Sequence, residues 1–293
     1  MTSRAAQEHG VSLNGRPFHL RSWGNPALPR LLLLHGFPEY GGCWSDLAPL
    51  LAHRFHCIAP DQRGYGQSWA PPEVENYTLS ALVGDMAALI GDGPVTVLGH
   101  DWGAAVAYGL AMFTPHLVNR LIILNGVHPV PFQRAMAAGG AQSAASQYIN
   151  YLRAPGSEDL LARDGFAGLL RLFSAQMDLG WLGGDRLVAY QHEWARPGRL
   201  RAMVNWYRAS PLQLAKPGQP IALPDLPRDR LMVRCPHLLV WGTGDTALLP
   251  ESVEGLEDFA PDLTRIDIDG ADHWLHHQKP EAVAEAILRW MPG

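Results

Sequence analysis

The sequence predicts an α/β fold, a doubly wound and mostly parallel sheet interrupted by a helical insertion. Short apolar runs alternate with stretches of helical spacing in the first and last parts of the chain, as in strands joined by crossover helices. Between residues 130 and 230 the Val/Ile/Leu runs stop and amphipathic stretches replace them. We therefore predict a core formed by residues 1–129 and 231–293, with residues 130–230 forming a helical cap, or lid, over the strand ends.

The predicted elements follow from local patterns along the chain. Asn14-Gly15 between two β-type runs predicts a two-residue hairpin, because both residues tolerate positive φ. The leucine run at 31–34 is short enough for a buried parallel strand. Further strands are predicted at residues 57–59, 95–98, 121–124, 238–241 and 264–268. Helices are predicted at residues 44–52, 79–90, 104–112 and 281–290, the last with Pro280 at its first turn.

Composition narrows the class of protein. The chain has 293 residues and a net charge of −5, without a long run of one sign, so a dense basic face for nucleic acid is not expected. The N-terminus lacks the apolar stretch of a signal peptide, and no run of about 18 apolar residues predicts a membrane span. The three cysteines cannot all pair. We expect a cytoplasmic protein with free thiols and without nucleic-acid or membrane partners.

The segment Gly99-His100-Asp101-Trp102-Gly103 carries the strongest chemical signal. It follows a predicted strand and precedes a predicted helix, so it forms a sharp turn that lifts the central side chain out of the sheet. The flanking glycines fit because a Cβ would collide in so tight a turn. A carboxylate at the centre is suited to displacing a leaving group from a saturated carbon, which leaves an alkyl ester on the enzyme.

Three other segments fall at the predicted carboxyl ends of strands, where open α/β sheets place their sites. They are His35-Gly36-Phe37-Pro38, the strand end that leads to Asp245, and the loop that carries His273. The chain order of nucleophile, acid and histidine is the order of an α/β-hydrolase triad.

These motifs, in this order and over nearly the whole chain, resemble the epoxide hydrolase branch of the α/β-hydrolase superfamily, which also includes dehalogenases. The shared segments also include Glu39 and the loop Asp61-Gln62-Arg63-Gly64-Tyr65-Gly66. The resemblance implies that Asp101 attacks the substrate. It further implies that His273, oriented by Asp245, activates water against the ester, and that the amides of Phe37 and Trp102 stabilise the oxyanion.

The same resemblance nominates two cap tyrosines as acids for the opened epoxide oxygen. Asn205-Trp206-Tyr207-Arg208 points to Tyr207, and the segment 147–151 points to Tyr148, with Tyr151 as the alternative one turn away. We expect a small, mainly apolar electrophile as substrate, together with water, and no cofactor. Predicted substrate-contacting residues are His35, Pro38, Trp206 and Tyr151. An apolar cap surface could support a homodimer.

Two alternatives stay open from the sequence. A haloalkane or haloacid dehalogenase would use the same triad, with Trp102 and a cap tryptophan binding halide. Trp102 and Ala105 stand where haloacid-specific relatives carry arginines, which argues against an anionic substrate. The second alternative is a non-catalytic small-molecule binding protein, against which the intact triad argues.

Several polar residues near these motifs have plainer interpretations. The spacing His273-x-x-His276-His277 resembles a metal site, but no carboxylate or cysteine completes a ligand set in the sequence, so no metal is expected. We expect His100 to pack beneath the site and Asp61 and Arg63 to brace their loop through an ion pair or hydrogen bond.

Overall fold

A central sheet organises the molecule. The structure is a computed structural model that describes residues 5–175, 177–223 and 226–292. In these ranges the sheet has eight strands in the order β1-β2-β4-β3-β5-β6-β7-β8, with β2 antiparallel to both β1 and β4 and every other neighbouring pair parallel. The strands are β1 (Gln7–Leu13), β2 (Arg16–Trp23), β3 (Arg30–Leu34), β4 (His56–Pro60), β5 (Val95–His100), β6 (Val118–Leu124), β7 (His237–Gly242) and β8 (Leu263–Ile268).

Eleven α-helices accompany this sheet in the described ranges. They are α1 (Ala48–Leu51), α2 (Leu79–Ile90), α3 (Trp102–Phe113), α4 (Pro129–Ala137), α5 (Ala141–Ala145), α6 (Tyr148–Arg153), α7 (Ser157–Phe173), α8 (Gly184–Trp194), α9 (Arg199–Ala209), α10 (Leu275–Gln278) and α11 (Pro280–Trp290). Short 3-10 turns link them, among them Gly41–Ser45 and Arg228–Leu231. No helix in the described part of the chain is long and apolar enough to cross a membrane.

The predicted sheet is confirmed by this topology. The hairpin pairs Leu13 with Arg16, and both turn residues, Asn14 and Gly15, have positive φ. The leucine run lies in β3, where its four side chains are fully or almost fully buried because helices cover both faces of the parallel sheet. The predicted helix at 44–52 is wrong in extent. It divides into the 3-10 turn Gly41–Ser45 and the single turn α1, which has a proline at its start.

The chain between β6 and β7 forms the helical insertion, which contains α4–α9. It includes a kink within α7, where Arg163–Phe166 leave helical geometry. Two indoles attach the insertion to loops of the sheet. Trp194 Nε1 donates to the Pro38 carbonyl oxygen at 2.7 Å, and Trp206 Nε1 donates to the Arg63 carbonyl oxygen at 3.0 Å. The insertion therefore lies directly over the loops that follow β3 and β4.

Candidate active site

Asp101 occupies a strained turn between β5 and α3. Its backbone has φ +50° and ψ −120°, an orientation that L-residues rarely adopt. A Cβ on Gly99 would lie 2.6 Å from the Gly103 carbonyl oxygen, and a Cβ on Gly103 would overlap the Leu34 carbonyl oxygen. Both flanking positions therefore require glycine, and the turn holds the Asp101 carboxylate at the wall of two cavities.

The loop after β3 contacts this carboxylate closely. The Phe37 amide donates to Asp101 Oδ1 at 2.7 Å. A Cβ on Gly36 would overlap the same carboxylate, so glycine at this position allows the loop to approach. The Trp102 amide is the first of α3 and makes no hydrogen bond to any described residue. One predicted oxyanion donor thus already contacts Asp101, and the other is free.

His273 connects Asp101 to Asp245. Its Nδ1 lies 2.7 Å from Asp245 Oδ2 and its Nε2 lies 3.6 Å from Asp101 Oδ2. Burial opposes the charged imidazolium, but the carboxylates of Asp245 and Asp101 more than offset this and hold the pKa of His273 well above its ordinary value. The structure therefore brings the three predicted triad residues together.

Asp245 is fixed by a dense set of donors. Oδ1 accepts the amides of Ala247 and Leu248 at 2.8 and 2.9 Å. Burial works against its charge, but His273, the Leu248 amide and Asn125 favour the carboxylate and lower the pKa of Asp245. The side chain caps the following turn and orients His273 at the same time.

Asn125 is a site residue that sequence reasoning missed. It directly follows β6, is fully buried, and has φ +32°. Its Nδ2 donates to Asp245 Oδ2 at 2.7 Å, while its Oδ1 accepts the Gly242 amide at 2.6 Å. A polar residue at the carboxyl end of an apolar strand was the available signal, because the other site segments share that position.

Tyr207 and Tyr148 face Asp101 from the insertion. The Tyr207 ring lies edge-on to Phe37 and Trp102, with centroids 5.2 and 5.1 Å away, and 6.2 Å from the Tyr148 ring. Burial raises the pKa of Tyr207 well above its ordinary value, with Tyr148 and Asp101 adding to the shift and Trp102 opposing it. Burial also raises the pKa of Tyr148. Both hydroxyls therefore stay protonated and can donate hydrogen bonds.

Two apolar cavities meet at these side chains. Their volumes are about 150 Å³ and 140 Å³, and both are lined by Asp101, Tyr148 and Tyr207. The first cavity extends towards α7, and its other apolar or aromatic walls include Leu169, Leu172, Phe173, Met177 and Trp274. The second extends towards α2 and α4, and its walls include Leu79, Leu82, Phe132, Ile149, Trp206 and Leu212. The carboxylate and the two tyrosines thus lie in a partly enclosed, mainly apolar space.

Three of the four predicted substrate-contacting residues lie outside both cavity walls. His35 is fully buried, and its Nδ1 lies 3.0 Å from the Gly36 carbonyl oxygen while its Nε2 accepts the Gln62 amide at 3.1 Å. Pro38 is held through its carbonyl by Trp194, and the side chain of Tyr151 is exposed. Trp206 does line the second cavity. His35 and Pro38 therefore shape the loop that carries the Phe37 amide.

Ion pairs brace the loop after β4, as expected for Asp61 and Arg63. Asp61 and Arg63 form ion pairs with other residues, because Arg21 Nη1 lies 2.7 Å from Asp61 Oδ1 and Arg63 Nη2 lies 2.7 Å from Asp85 Oδ1. Burial would raise the pKa of Asp61, but the hydrogen bond from His19 and the Arg21 charge lower it to about 2.

A buried cluster behind His273 was also missed. His100 packs beneath the site as expected, and its Nε2 lies 2.8 Å from the His273 carbonyl oxygen. The expectation that no carboxylate or cysteine accompanies His276 is wrong, since Glu39 and Cys43 lie beside it. Glu39 follows the β3 loop and is far from His276 in sequence, so spacing could not reveal the group.

Comparisons with known proteins agree with this geometry. Residues 29–280 match the family model of the alpha/beta hydrolase fold. The chain is 32% identical over 286 residues to the AB hydrolase superfamily protein YfhM of Bacillus subtilis, covering 96% of each protein. It is 30% identical over 288 residues to epoxide hydrolase 4 of Mus musculus, covering 95% of this chain and 77% of that protein.

A solved structure from work on novel epoxide hydrolases in metagenomes from hot environments superposes with a TM-score of 0.89 and 34% identity, covering 98% of this chain and 99% of that one. The family model spans most of the chain, and these relatives match it over nearly its whole length. The chain therefore belongs to the alpha/beta hydrolase superfamily, as a hydrolase similar to epoxide hydrolases.

Proposed function

We propose that this protein adds water to an epoxide to give a vicinal diol, through a covalent ester on Asp101. The observation that carries the proposal is the position of the Asp101 carboxylate, which lies 3.6 Å from His273 Nε2 and shares the walls of two apolar cavities with Tyr148 and Tyr207. Relatives named as epoxide hydrolases support the same reaction class.

In the first step, Asp101 Oδ2 attacks a ring carbon of the epoxide. The new C–O bond forms as the ring C–O bond breaks, and the electron pair of that bond goes to the epoxide oxygen. Oδ1 remains the carbonyl oxygen, because the Phe37 amide already binds it at 2.7 Å. A carboxylate needs no base for this attack at neutral pH, so His273 has no role in deprotonating the nucleophile.

The opened oxygen is a strong base and needs a donor as it leaves. Tyr207 and Tyr148 face the same cavities as Asp101, and burial keeps both hydroxyls protonated. They polarise the epoxide oxygen by hydrogen bonding, and one of them transfers its proton to the alkoxide and regains one from solvent. Residues 130–230 act as the cap that supplies these two donors and excludes bulk water.

The second step uses His273 as a base. Esterification removes the negative charge of Asp101, one of the charges that raise the His273 pKa, so the imidazole gives up its proton more readily once the ester exists. Neutral His273 then takes a proton from water, and the hydroxide attacks the ester carbonyl carbon. The amides of Phe37 and Trp102 stabilise the oxyanion. Collapse releases the diol, whose oxygen takes a proton from His273, and the Asp101 carboxyl group gives its proton to solvent to restore the carboxylate.

Dehalogenation is the competing reaction with the same triad. It needs free N–H donors for the halide ion rather than an acid. Trp206, beside Tyr207, has its indole nitrogen engaged, since its Nε1 donates to the Arg63 carbonyl oxygen at 3.0 Å. This occupancy favours the epoxide over the halide.

The test is to trap the ester. In His273→Gln the second step stalls, so incubation with an epoxide should add the mass of the intact epoxide to the peptide that contains Asp101. Asp101→Asn is the matched control and should show no added mass. Wild-type enzyme, given a panel of epoxides and haloalkanes, should release diol and little halide. An adduct formed only with haloalkanes would overturn the proposal.

A single turnover in ¹⁸O-labelled water gives an independent check. Because hydroxide attacks the ester carbonyl, the label should enter the Asp101 carboxylate, and the first molecule of diol should carry an enzyme oxygen. Label that appears in the first diol and not in the protein would show direct attack of water on the epoxide.

A further inference from the structure

Glu39, Cys43 and His276 form a fully buried group behind His273, outside both cavities. Their ligand-type atoms all lie within 4.8 Å of one another, and each side chain is almost completely excluded from solvent. Glu39 comes from the loop after β3, Cys43 from the 3-10 turn Gly41–Ser45, and His276 from α10. We call these three residues the Glu39 cluster.

One carboxylate oxygen of Glu39 is held and the other is left open. Oε1 accepts the Tyr190 hydroxyl at 2.8 Å and lies 2.7 Å from His277 Nε2. Oε2 has no hydrogen bond from any described residue, although it is buried. A carboxylate oriented through one oxygen, with the second oxygen pointing into a group of donors, is the arrangement that neighbouring hydrogen bonds give to a metal ligand.

His276 is unusual because neither of its ring nitrogens has a hydrogen-bond partner among the described residues. Its Nε2 lies 3.4 Å from Glu39 Oε2 without forming a hydrogen bond to it. A buried imidazole with two unpaired nitrogens costs several kcal/mol, so native structures rarely keep one without a ligand or water.

A second ring nitrogen lies close to the same Glu39 oxygen without forming a hydrogen bond to it. His100 Nδ1 lies 3.3 Å from Glu39 Oε2 and also lacks a hydrogen bond. Around tetrahedral zinc, with bonds of about 2.0–2.2 Å to nitrogen and oxygen, neighbouring ligand atoms lie about 3.4 Å apart. The two ring nitrogens therefore lie from Oε2 at about the separation of neighbouring zinc ligands.

We propose that the Glu39 cluster binds one Zn²⁺ ion. A thiolate, an imidazole nitrogen and a carboxylate oxygen are the three ligand types that zinc takes in proteins, and a mixed set of this kind excludes Ca²⁺ and Mg²⁺, which prefer oxygen alone. Binding displaces the Cys43 proton to solvent, and no electron is transferred. His100, whose other nitrogen contacts the His273 carbonyl oxygen, lies between this ion and the catalytic loop.

The ion has a structural role in this proposal. It joins the loop after β3, which carries the Phe37 amide, to α10, which follows His273. It therefore ties together two segments that must stay aligned at Asp101. The proposal does not depend on the proposed epoxide chemistry, because it concerns a site outside the cavities.

The test is metal content and cobalt spectroscopy on the full chain with any affinity tag removed. We use a Cys235→Ser background, because Cys235 is a partly accessible thiol that could bind metal by chance. Elemental analysis should find close to one zinc per chain. Replacement by Co²⁺ should give the visible bands of a tetrahedral ion and the near-ultraviolet thiolate charge-transfer band. Added zinc should raise the melting temperature.

Cys43→Ala and His276→Gln should lose the metal and the cobalt bands. Cys57→Ala is the matched control, since Cys57 is an equally buried thiol that contacts the Ala48 carbonyl instead, and it should keep both. If the cluster variants do not fold, the thiolate charge-transfer band of the cobalt-loaded parent still reports on Cys43. Folded parent protein that takes up neither metal would overturn the proposal and leave a buried water as the occupant. Undiminished binding by folded Cys43→Ala would also overturn it.

Discussion

Asp61 and Asp101 follow the two parallel strands that flank β3, yet the structure treats their carboxylates in opposite ways. Asp61 is fully buried and lies within hydrogen-bond distance of the Arg21 guanidinium, the Gly41 and Gln67 amides and the His19 ring. The Asp101 side chain is 16% exposed and accepts one hydrogen bond, from Phe37. The Asp61 carboxylate, whose two oxygens both have hydrogen-bond partners, holds a loop in place. The Asp101 carboxylate accepts only one hydrogen bond, which leaves one oxygen without a donor.

Asp101→Asn tests the reactive half of this comparison and should have the largest effect. The amide is a very poor nucleophile, so we expect epoxide turnover to fall at least about 1000-fold, which is about 4 kcal/mol in activation free energy. The melting temperature should change little, because Asp101 accepts only one hydrogen bond, from the Phe37 amide. Steady-state kinetics and thermal melts measure the two quantities. Full activity in this variant would remove the ester from the mechanism.

Asp61→Asn tests the structural half and should give the reverse result. It removes the buried partner of the Arg21 guanidinium and leaves it only the half-exposed Glu8, so we expect a loss of about 3 kcal/mol in the free energy of unfolding. Turnover per folded molecule should stay within about threefold of wild type, since Asp61 lines neither cavity. Denaturant titration beside kinetics at low temperature separates the two. An Asp61→Asn variant that is as stable as wild type but inactive would show that Asp61 serves the reaction and not the loop.

Acid pH should weaken the same loop. The pKa of Asp61 is lowered from 3.8 to about 2 on folding, so its charge stabilises the protein above about pH 4 and this contribution is lost as the pH falls towards 2. The shift corresponds to about 2 kcal/mol. The stability difference between wild type and Asp61→Asn should therefore narrow from pH 6 to about pH 3 in denaturant titrations. An unchanged difference would show that the Asp61 charge is not what holds the loop.

Tyr207→Phe should have the smallest effect of the four, and it tests whether Asp101 works with donors from the insertion. Loss of one hydroxyl should lower epoxide turnover more than tenfold, as is typical when a general acid is removed. Tyr148→Phe should act in the same direction. Tyr151→Phe is the matched control, since its side chain is exposed, and should stay within about twofold. If all three variants turned over epoxide as fast as the wild type, Tyr207 and Tyr148 would be excluded as acids.

The sequence predicted features that local pattern determines. Apolar runs located β3, β5, β6 and β7, and the glycine-flanked carboxylate located the turn at Asp101, because its geometry requires glycine on both sides. Chain order then sufficed to name Asp245 and His273. The Asn14-Gly15 hairpin followed from two residues that tolerate positive φ.

What remained unpredictable depends on distant residues meeting in space. Asn125 supports Asp245 only because β6 and β7 are neighbours in the sheet. Tyr148 and Tyr151 lie one turn apart, so spacing alone could not say which faces Asp101. Glu39 meets His276 and His277 across more than 230 residues, as its bond to His277 shows. The partners of Asp61 and Arg63 likewise come from β2 and α2.

The two indole hydrogen bonds of the insertion limit which helical insertions could replace it in an engineered protein. Trp194 and Trp206 bind carbonyl oxygens of the loops after β3 and β4, and Trp206 directly precedes Tyr207. A foreign insertion transplanted into this core would place its tyrosine correctly only if it also brought donors for these two carbonyls. The transferable unit is therefore α8 and α9 together with their acceptor loops, and a chimaera spliced between them would move its tyrosine out of register with Asp101.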